Sequence, residues 1–146
     1  MTEHSATIEI AENVDDELVA AFEMLIPQLS SSSSAPGREL LTDLVEGADT
    51  VLFLARLDGA IVGSLTLAFY RIPTGMKAWI EDVVVDDTAR GHGVGRLLSE
   101  AALNVARERG AKNVSLTSRP SREPANRLYQ RLGFKARETN VYRFDL

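Results

Sequence analysis

The chain has 146 residues, of which 45% are hydrophobic and 25% charged, a composition typical of one globular domain. No apolar run approaches the roughly 18 residues that span a bilayer, and no basic segment followed by an apolar one suggests a secretory signal. A net charge of −5 argues against nucleic acid as a partner, and the absence of cysteine excludes disulfides and cysteine nucleophiles, so we expect one cytoplasmic domain over residues 1–146.

The N-terminal part of the sequence predicts a strand followed by two helices. The strand covers residues 6–11, and Asp15 or Asp16 can cap the first helix. Five serines and an Ala-Pro-Gly sequence make residues 30–37 a predicted flexible loop, and the second helix ends near Gly47. The core-facing residues expected on these two helices are Leu18, Phe22, Leu25, Ile26, Leu40, Leu41, Leu44 and Val45.

Three strands are predicted in the middle of the chain. Residues 50–57 and 61–70 are rich in β-formers and flank Asp58-Gly59, a pair that favours the positive φ angles of a tight hairpin turn. These two strands should therefore pair antiparallel. Residues 77–85 form the next predicted strand.

A helix over residues 93–109 follows, and Gly110 ends it. A short strand is predicted at residues 113–117, and the order strand, helix, strand implies a right-handed crossover with parallel pairing. The helix residues expected to face the core are Val94, Leu97, Leu98, Ala101 and Val105.

The C-terminal part predicts one more helix and two strands. Ser121 can cap the helix, Gly133 ends it, and residues 134–136 and 139–144 form the strands. Together the elements predict a mixed α/β sheet with helices packed on it.

The sequence Arg90-Gly91-His92-Gly93-Val94-Gly95 lies between a predicted strand and a helix start. Unpaired N–H groups and the positive end of the helix dipole can bind phosphate there. The G-x-G-x-x-G spacing of dinucleotide-binding folds is absent, and Arg96 follows where a Walker loop needs lysine. The alternative interpretation is a tight strand-to-helix turn without a ligand.

Two motifs resemble the GCN5-related N-acetyltransferases (GNAT). Arg90-x-x-Gly93-x-Gly95 after "IEDVVVDD" resembles their acetyl-CoA pyrophosphate loop, and "NRLYQRLGF", residues 126–134, resembles their C-terminal motif. The resemblance covers nearly all of the chain. It implies a GNAT fold with a mixed sheet of about six to seven strands, a splayed fourth and fifth strand, and about four helices.

The same resemblance implies that the cofactor is acetyl-CoA. Backbone groups of Val83 and Val85, on either side of Val84, would bind the pantetheine arm, and an N–H near Val83 would stabilise the oxyanion. Asn126 would hydrogen-bond the cofactor. The residues implied at the pyrophosphate are Arg90, Gly91, His92, Gly93, Val94, Gly95 and Arg96, with Arg122 as a further candidate, and His92 acts through its backbone.

The resemblance also implies the catalytic residues. Glu81 is the best candidate for the general base that deprotonates the amine, directly or through water, and Asp82 is the second choice. Tyr129 is the candidate general acid for the leaving thiolate. From the residues alone, Glu81 can equally be an ion-pair partner and Tyr129 a core tyrosine.

The expected activity is acetyl transfer to a primary amine of a small molecule, by direct attack because no cysteine is present. Acidic residues favour a cationic amine, and two aromatic residues can line its pocket; these residues are Asp43, Glu46, Glu81, Asp82, Tyr70 and Trp79. Alternatives are a protein lysine or N-terminal acetyltransferase and a non-catalytic acyl-CoA sensor. No metal site is expected, because His4 is the only histidine besides His92. The resemblance makes a homodimer possible.

Overall fold

A computed structural model of the chain describes residues 5–146, which fall into two compact units divided after Leu116. The first unit holds a five-stranded sheet and three helices, and the second holds one helix; the predicted single domain over residues 1–146 stays a prediction. The elements of the first unit are β1 (Thr7–Ile10), α1 (Asp16–Leu29), α2 (Arg38–Glu46), β2 (Thr50–Leu57), β3 (Ala60–Ile72), β4 (Gly75–Val85), α3 (Val94–Glu108) and β5 (Val114–Ser115). The second unit contains α4 (Glu123–Leu132).

The strands lie in the order β1-β2-β3-β4-β5, which confirms a mixed α/β sheet. The first four strands pair antiparallel, and β5 pairs parallel to β4, as the crossover through α3 predicts. Asp58 and Gly59 join β2 to β3 with φ angles of 52° and 84°. Both angles are positive, as a type I′ hairpin turn requires, so the predicted hairpin is confirmed.

One face of the sheet is covered by α1 and α2. All four predicted core residues of α1 are buried, whereas in α2 only Leu41 is fully buried and Leu40 is 54% exposed. The expectation that Leu40 faces the core was therefore wrong, because a helix of nine residues turns only part of its apolar surface toward the sheet. The cluster on this face also takes in Leu52 of β2 and Val84 of β4.

The opposite face of the sheet is covered by α3. Its fully buried residues are Val94, Leu98, Ser99, Ala102 and Ala106, while the predicted Leu97, Ala101 and Val105 are only half-buried at the margins of this stripe. Gly63 of β3 allows close packing here, since a Cβ atom on it would lie 3.1 Å from Val94 Cγ1 and 3.1 Å from the Val84 carbonyl oxygen. The first turn of α3 is thus packed directly on the sheet.

The C-terminal unit corrects two expectations. Residues 134–146 are not assigned to a strand, so the described sheet has five strands rather than six or seven. Apolar alternation in this segment reflects β-propensity, but a strand also needs a hydrogen-bonded neighbour. The helix α4 is preceded by Arg122 rather than capped by Ser121, and Pro124 lies in its first turn. Gly133 ends the helix, as predicted.

Within residues 5–146, every helix is too short or too polar to cross a membrane.

Candidate active site

The start of α3 has no side-chain cap for its backbone N–H donors. Gly93 precedes the helix in the left-handed conformation, with φ 72° and ψ 18°. Because glycine lacks a side chain, Gly93 cannot cap the helix with a side-chain hydrogen bond. The first turn of α3 also carries no acidic residue. Because the first N–H groups of a helix lack partners within it and the helix dipole is positive at this end, this turn can bind an anion.

The predicted phosphate loop, residues 90–95, is shaped by its glycines. Gly91 and Gly93 have φ angles of 86° and 72°, and a Cβ atom on either would meet no other atom within 4 Å. His92 is exposed, consistent with a role through its backbone. The side chain of Arg90 forms an ion pair with Asp87 at 3.0 Å, so both charged groups of this pair lie at the entrance of the loop.

Arg96, in the first turn of α3, is also exposed, and its nearest acidic partner is Glu100 at 3.9 Å. An exposed ion pair of this length is weak, typically below about 1 kcal/mol. Arg96 can therefore turn toward a phosphate at little cost.

A β-bulge interrupts β4 directly after Glu81. Thr66 of β3 pairs with Glu81 and Ser64 pairs with Val84, so that Leu65 alone lies opposite the two residues 82 and 83. Asp82 has a φ of 50°, an angle that non-glycine residues rarely adopt outside turns and bulges. The predicted bulge in the fourth strand is therefore present, and it begins at Asp82.

The bulge changes which residues share a face of the sheet. Val84, three residues after Glu81, belongs to the core cluster under α1, and the row Leu52, Thr66, Glu81 lies on that same face. In a regular strand a separation of three would put Glu81 and Val84 on opposite faces. The extra residue brings them to one face and leaves Asp82 in the bulge.

Beyond Trp79 the edge of β4 has no strand beside it. The parallel ladder joins only Ala78 to Val114 and Trp79 to Ser115. Within the part of the chain that the structure describes, residues 80–85 pair with β3 on one side and with no strand on the other. The backbone of Val83 and Val85 thus lies in the segment where β4 has separated from β5, as a splayed pair requires.

Glu81 has a shifted proton affinity. Partial burial of its carboxyl group is the main cause that raises its pKa, and the neighbouring Asp82 carboxylate raises it further. Both effects disfavour the ionised form. A carboxylate with a raised pKa holds a proton more tightly and is a stronger general base than an ordinary glutamate.

Aromatic residues lie beside Glu81 on the same face. Trp79 is two residues before Glu81 in the strand, and its Nε1–H donates a hydrogen bond to the Tyr70 hydroxyl at 2.9 Å. Thr66 lies directly opposite Glu81 on β3. The predicted acceptor residues Tyr70, Trp79 and Glu81 therefore share one surface, whereas Asp43 and Glu46 are on α2.

In the second unit, Tyr129 is the one fully buried residue of α4. Its ring packs edge-to-face on Phe134 with centroids 5.8 Å apart. Burial raises its pKa, and the positive charge of Arg122 partly offsets this rise.

The Asn126 side chain, also on α4, uses both of its N–H donors within the second unit. They donate to the carbonyl oxygens of Arg119 and Arg122, each at 2.9 Å, so a ligand would be bound through Asn126 Oδ1.

Sequence reasoning missed two residues next to these groups. Thr66 pairs with Glu81, and Gln28 of α1 hydrogen-bonds residues 86 and 87 just before the glycine loop. Hairpin register could have indicated Thr66, since the Asp58-Gly59 turn sets the pairing of β3. The contact of Gln28 joins residues 58 apart in sequence, and no local pattern predicts it.

Among residues 5–146, no group of three or more histidine, aspartate and glutamate side chains could hold a metal ion.

Comparison with known families gives a match over most of the chain. The family model described as the acetyltransferase (GNAT) family matches residues 16–134, which include parts of both units. A glucosamine 6-phosphate N-acetyltransferase of Trypanosoma brucei brucei is 37% identical over 103 residues, which are 68% of this chain and 67% of that protein. A mycothiol acetyltransferase of Thermomonospora curvata is 40% identical over 83 residues, which are 57% of this chain but only 27% of that longer protein.

Solved structures share the fold along almost the whole chain. The crystal structure of an acetyltransferase of Trypanosoma brucei has a TM-score of 0.78 and 27% identity, with 97% of this chain and 100% of that chain covered. The structure of AAC(6')-Iy, solved with a bisubstrate analogue that contains CoA, has a TM-score of 0.76 and 17% identity, with 97% and 98% covered. At that identity the second likeness shows the fold alone.

Proposed function

Because the chain belongs to the acetyltransferase (GNAT) family, we propose that it transfers the acetyl group of acetyl-CoA to a primary amine of a small molecule. The observation that carries the proposal is the bulge of β4 at residues 82 and 83, followed in the same run of chain by the open start of α3. A base candidate, an unpaired strand edge and an anion site thus follow one another between Glu81 and Arg96.

The residues of this segment fit acetyl-CoA. The N–H groups at the start of α3, with Arg90 and Arg96, would bind the pyrophosphate, and the open edge of β4 at Val83 and Val85 would bond the pantetheine amides. Asn126 Oδ1 offers an acceptor for a further bond. When bound, acetyl-CoA supplies an acetyl thioester that an amine can attack.

Glu81 is the proposed general base. Primary amines are protonated at pH 7 and must lose a proton before they attack. Because its pKa is raised, Glu81 binds a proton more tightly than an ordinary glutamate does. The face of the sheet that it shares with Trp79 gives the amine a place to approach. Since the chain has no cysteine to carry the acetyl group, direct transfer between the two bound substrates is the proposed route.

Tyr129 is the proposed general acid. Burial raises the pKa of its phenol, so the hydroxyl keeps its proton throughout the neutral pH range. It can then give that proton to the thiolate that leaves. Its ring packs edge-to-face on Phe134, which limits the movement of the side chain.

The acceptor proposed is a cationic amine of low molecular weight, such as a polyamine, an amino acid or an amino sugar. Glu81 and Asp82 supply negative charge beside the paired rings of Tyr70 and Trp79, and aromatic faces attract cations. The names of the glucosamine 6-phosphate and mycothiol relatives are those of acetyltransferases with small-molecule acceptors and support this proposal, whereas an N-alpha-acetyltransferase 30 of Schizosaccharomyces pombe, 33% identical over 73 residues, makes a protein acceptor the alternative. The lack of cysteine is compatible with the cytoplasm as the place of action.

The first experiment measures acceptor-dependent release of CoA thiol with polyamines, amino acids, aminoglycosides, amino sugar phosphates and lysine peptides. The calorimetric Kd of acetyl-CoA is measured beside it. Thiol release with one class of small amine supports the proposal. Release with peptides alone would identify a protein acetyltransferase, and binding without release on any amine would identify a sensor.

The proposed role of Glu81 predicts a distinct pH profile. Glu81→Gln should lower kcat/KM by about a hundredfold, a typical contribution of one general base. It should also remove the contribution of Glu81 to the fall in kcat/KM at low pH and leave only the fall caused by protonation of the amine, because Glu81 must be ionised to act and its raised pKa places its contribution above the range of an ordinary glutamate. Glu138→Gln, at an exposed glutamate, is the matched control and should match the parent.

For the acid, Tyr129→Phe should lower kcat by about a hundredfold while the Kd of acetyl-CoA stays within about twofold. Tyr142→Phe, at a tyrosine that is 88% exposed, is the matched control. A Tyr129→Phe protein with full kcat would overturn the role of this tyrosine without affecting the proposed reaction.

A further inference from the structure

The glycine loop is anchored mainly at its two ends. Gly91 and Gly93 lack side chains, and His92 is exposed. At the far end Val94 is buried under the sheet with 2% exposure. At the near end a turn of 3-10 helix over Asp87–Ala89 leads into the loop, and Ala89 is 1% exposed. The position of the loop therefore depends on how firmly this turn is fixed.

Gln28 of α1 binds that turn with both ends of its side-chain amide. Its Nε2–H donates to Asp86 Oδ1 at 2.8 Å, and its Oε1 accepts from the backbone N–H of Asp87 at 2.9 Å. The turn is also fixed to β3, because the Asp86 N–H donates to the Val62 carbonyl oxygen at 2.7 Å. These bonds hold the backbone at the point where β4 ends and the turn begins.

The same contacts control two negative charges close to a predicted phosphate site. The Asp86 carboxylate receives hydrogen bonds from the Thr88 hydroxyl and from Gln28, and these bonds lower its pKa. The Asp87 carboxylate is paired with Arg90 at 3.0 Å. Both carboxylates are thus occupied by donors, which limits their repulsion of an anion in the loop.

We propose that Gln28 is a positioning residue that holds the phosphate loop ready for acetyl-CoA by bonding the side chain of Asp86 and the backbone of Asp87. The inference rests on the proposed binding of acetyl-CoA at residues 90–96. Binding is tighter when the loop is already in its bound conformation, because less ordering remains to be done. Gln28 lies two residues before the predicted loop of residues 30–37. Its hydrogen bonds therefore join the end of α1 to the part of the unit where acetyl-CoA would bind.

The test is calorimetric titration of CoA into single and double variants. Gln28→Met keeps the length of the side chain but removes both hydrogen bonds. Gln28→Glu keeps an acceptor for the Asp87 N–H but places a carboxylate against Asp86. We expect the Kd of CoA to rise about tenfold in each, the effect of losing one hydrogen bond to a charged group, with kcat at saturating acetyl-CoA changed less than twofold.

The double variant Gln28→Glu/Asp86→Asn separates positioning from a loss of stability. The amide introduced at position 86 can donate to the carboxylate introduced at position 28, which still accepts from the Asp87 N–H. The bond is thus restored with reversed polarity, and the net charge is unchanged. The Kd of the double variant should return to within about threefold of the parent. Gln130→Glu, at an exposed residue of α4 in the second unit, makes the same chemical change and should leave the Kd unaltered.

The outcomes distinguish this inference from the proposed function. A parent protein that does not bind CoA overturns both. If the parent binds CoA and the folded Gln28→Met and Gln28→Glu variants bind CoA as tightly as the parent, only the positioning role of Gln28 is overturned. A double variant that binds no better than Gln28→Glu overturns that role as well. Should Gln28→Met fail to fold, the comparison of Gln28→Glu with the double variant decides the question.

Discussion

Two helices of the first unit begin in opposite ways. At α1, Asp15 adopts extended backbone angles and its Oδ1 accepts a hydrogen bond from the Leu18 N–H at 2.9 Å. Asp16 and Glu17 add negative charge to the first turn. At α3, Gly93 precedes the helix with a φ of 72°, and neither a cap nor an acidic residue follows.

The difference separates a helix start that serves stability from one that can serve a ligand. The acidic residues of α1 are tied into the fold, since Asp16 pairs with Arg38 and Glu17 pairs with Arg56. They complement the helix dipole, as capped helices commonly do. The open start of α3 forgoes this stabilisation and keeps its N–H groups available to an anion. The α-helices α2 and α4 also lack a side-chain cap, but they carry Glu39 and Glu123 in their first turns. Among the α-helices of residues 5–146, the start of α3 is thus distinguished by lacking both a cap and an acidic residue.

The largest expected effect comes from making the start of α3 resemble that of α1. Gly95→Asp places a carboxylate in the first turn of α3, where it complements the helix dipole, so the fold should be retained. A carboxylate about 4 Å from a bound phosphate group is repelled by about 4 kcal/mol at an effective dielectric of about 20, which corresponds to a roughly thousandfold rise in Kd. Calorimetry with CoA measures the loss, and thermal unfolding checks the fold.

Gly95→Ala is the control for this change, because it adds a side chain without charge. It should weaken CoA binding far less than Gly95→Asp does. Equal Kd values for the two variants would show that the first turn of α3 does not lie beside a phosphate.

A smaller effect is expected from the packing that supports α3. In Gly63→Ala the new Cβ atom would lie 3.1 Å from the Val84 carbonyl oxygen and 3.1 Å from Val94 Cγ1, so the strand or the first turn of α3 must move. Overpacking of this kind typically costs about 1–3 kcal/mol. Urea unfolding should show that loss, together with a weaker affinity for CoA.

Gly37→Ala is the matched control for packing. Gly37 has a φ of −81°, and a Cβ atom on it would meet no atom within 4 Å. Its free energy of unfolding should change by less than about 1 kcal/mol. If Gly63→Ala unfolds like this control, the helix is not packed as closely on β3 as the distances indicate.

Much of the fold could be predicted because local signals and the sheet agree. The Asp58-Gly59 turn fixed the pairing of β2 with β3, and the periodicity of α1 identified its core residues. The strands expected after Gly133 were wrong, since the apolar residues of that segment, such as Tyr142 at 88% exposure, have no strand beside them. Propensity describes a single segment, whereas a strand depends on its neighbour.

The site was predictable to the extent that it is encoded in consecutive residues. The glycines of the loop and Glu81 next to the bulge can be identified from one stretch of sequence. The residues that contact these groups come from elsewhere in the chain. The register of β3 against β4 places Thr66 opposite Glu81, and Gln28 of α1 hydrogen-bonds Asp86 before the glycine loop. Motifs therefore indicate the groups that touch a ligand, while the residues that hold those groups become visible only in three dimensions.

The cap of α1 is expected to contribute modestly to stability and nothing to binding. Asp15→Ala removes the hydrogen bond to the Leu18 N–H, and the loss of a cap costs about 1 kcal/mol in the free energy of unfolding. Asp15→Asn keeps a capping oxygen and should unfold like the parent. Neither variant should alter the Kd of CoA, because α1 presents a closed start and its cap acts on stability alone. A change of CoA affinity in Asp15→Ala would mean that the two helix starts are coupled, and the division between a stabilising and a binding start would then fail.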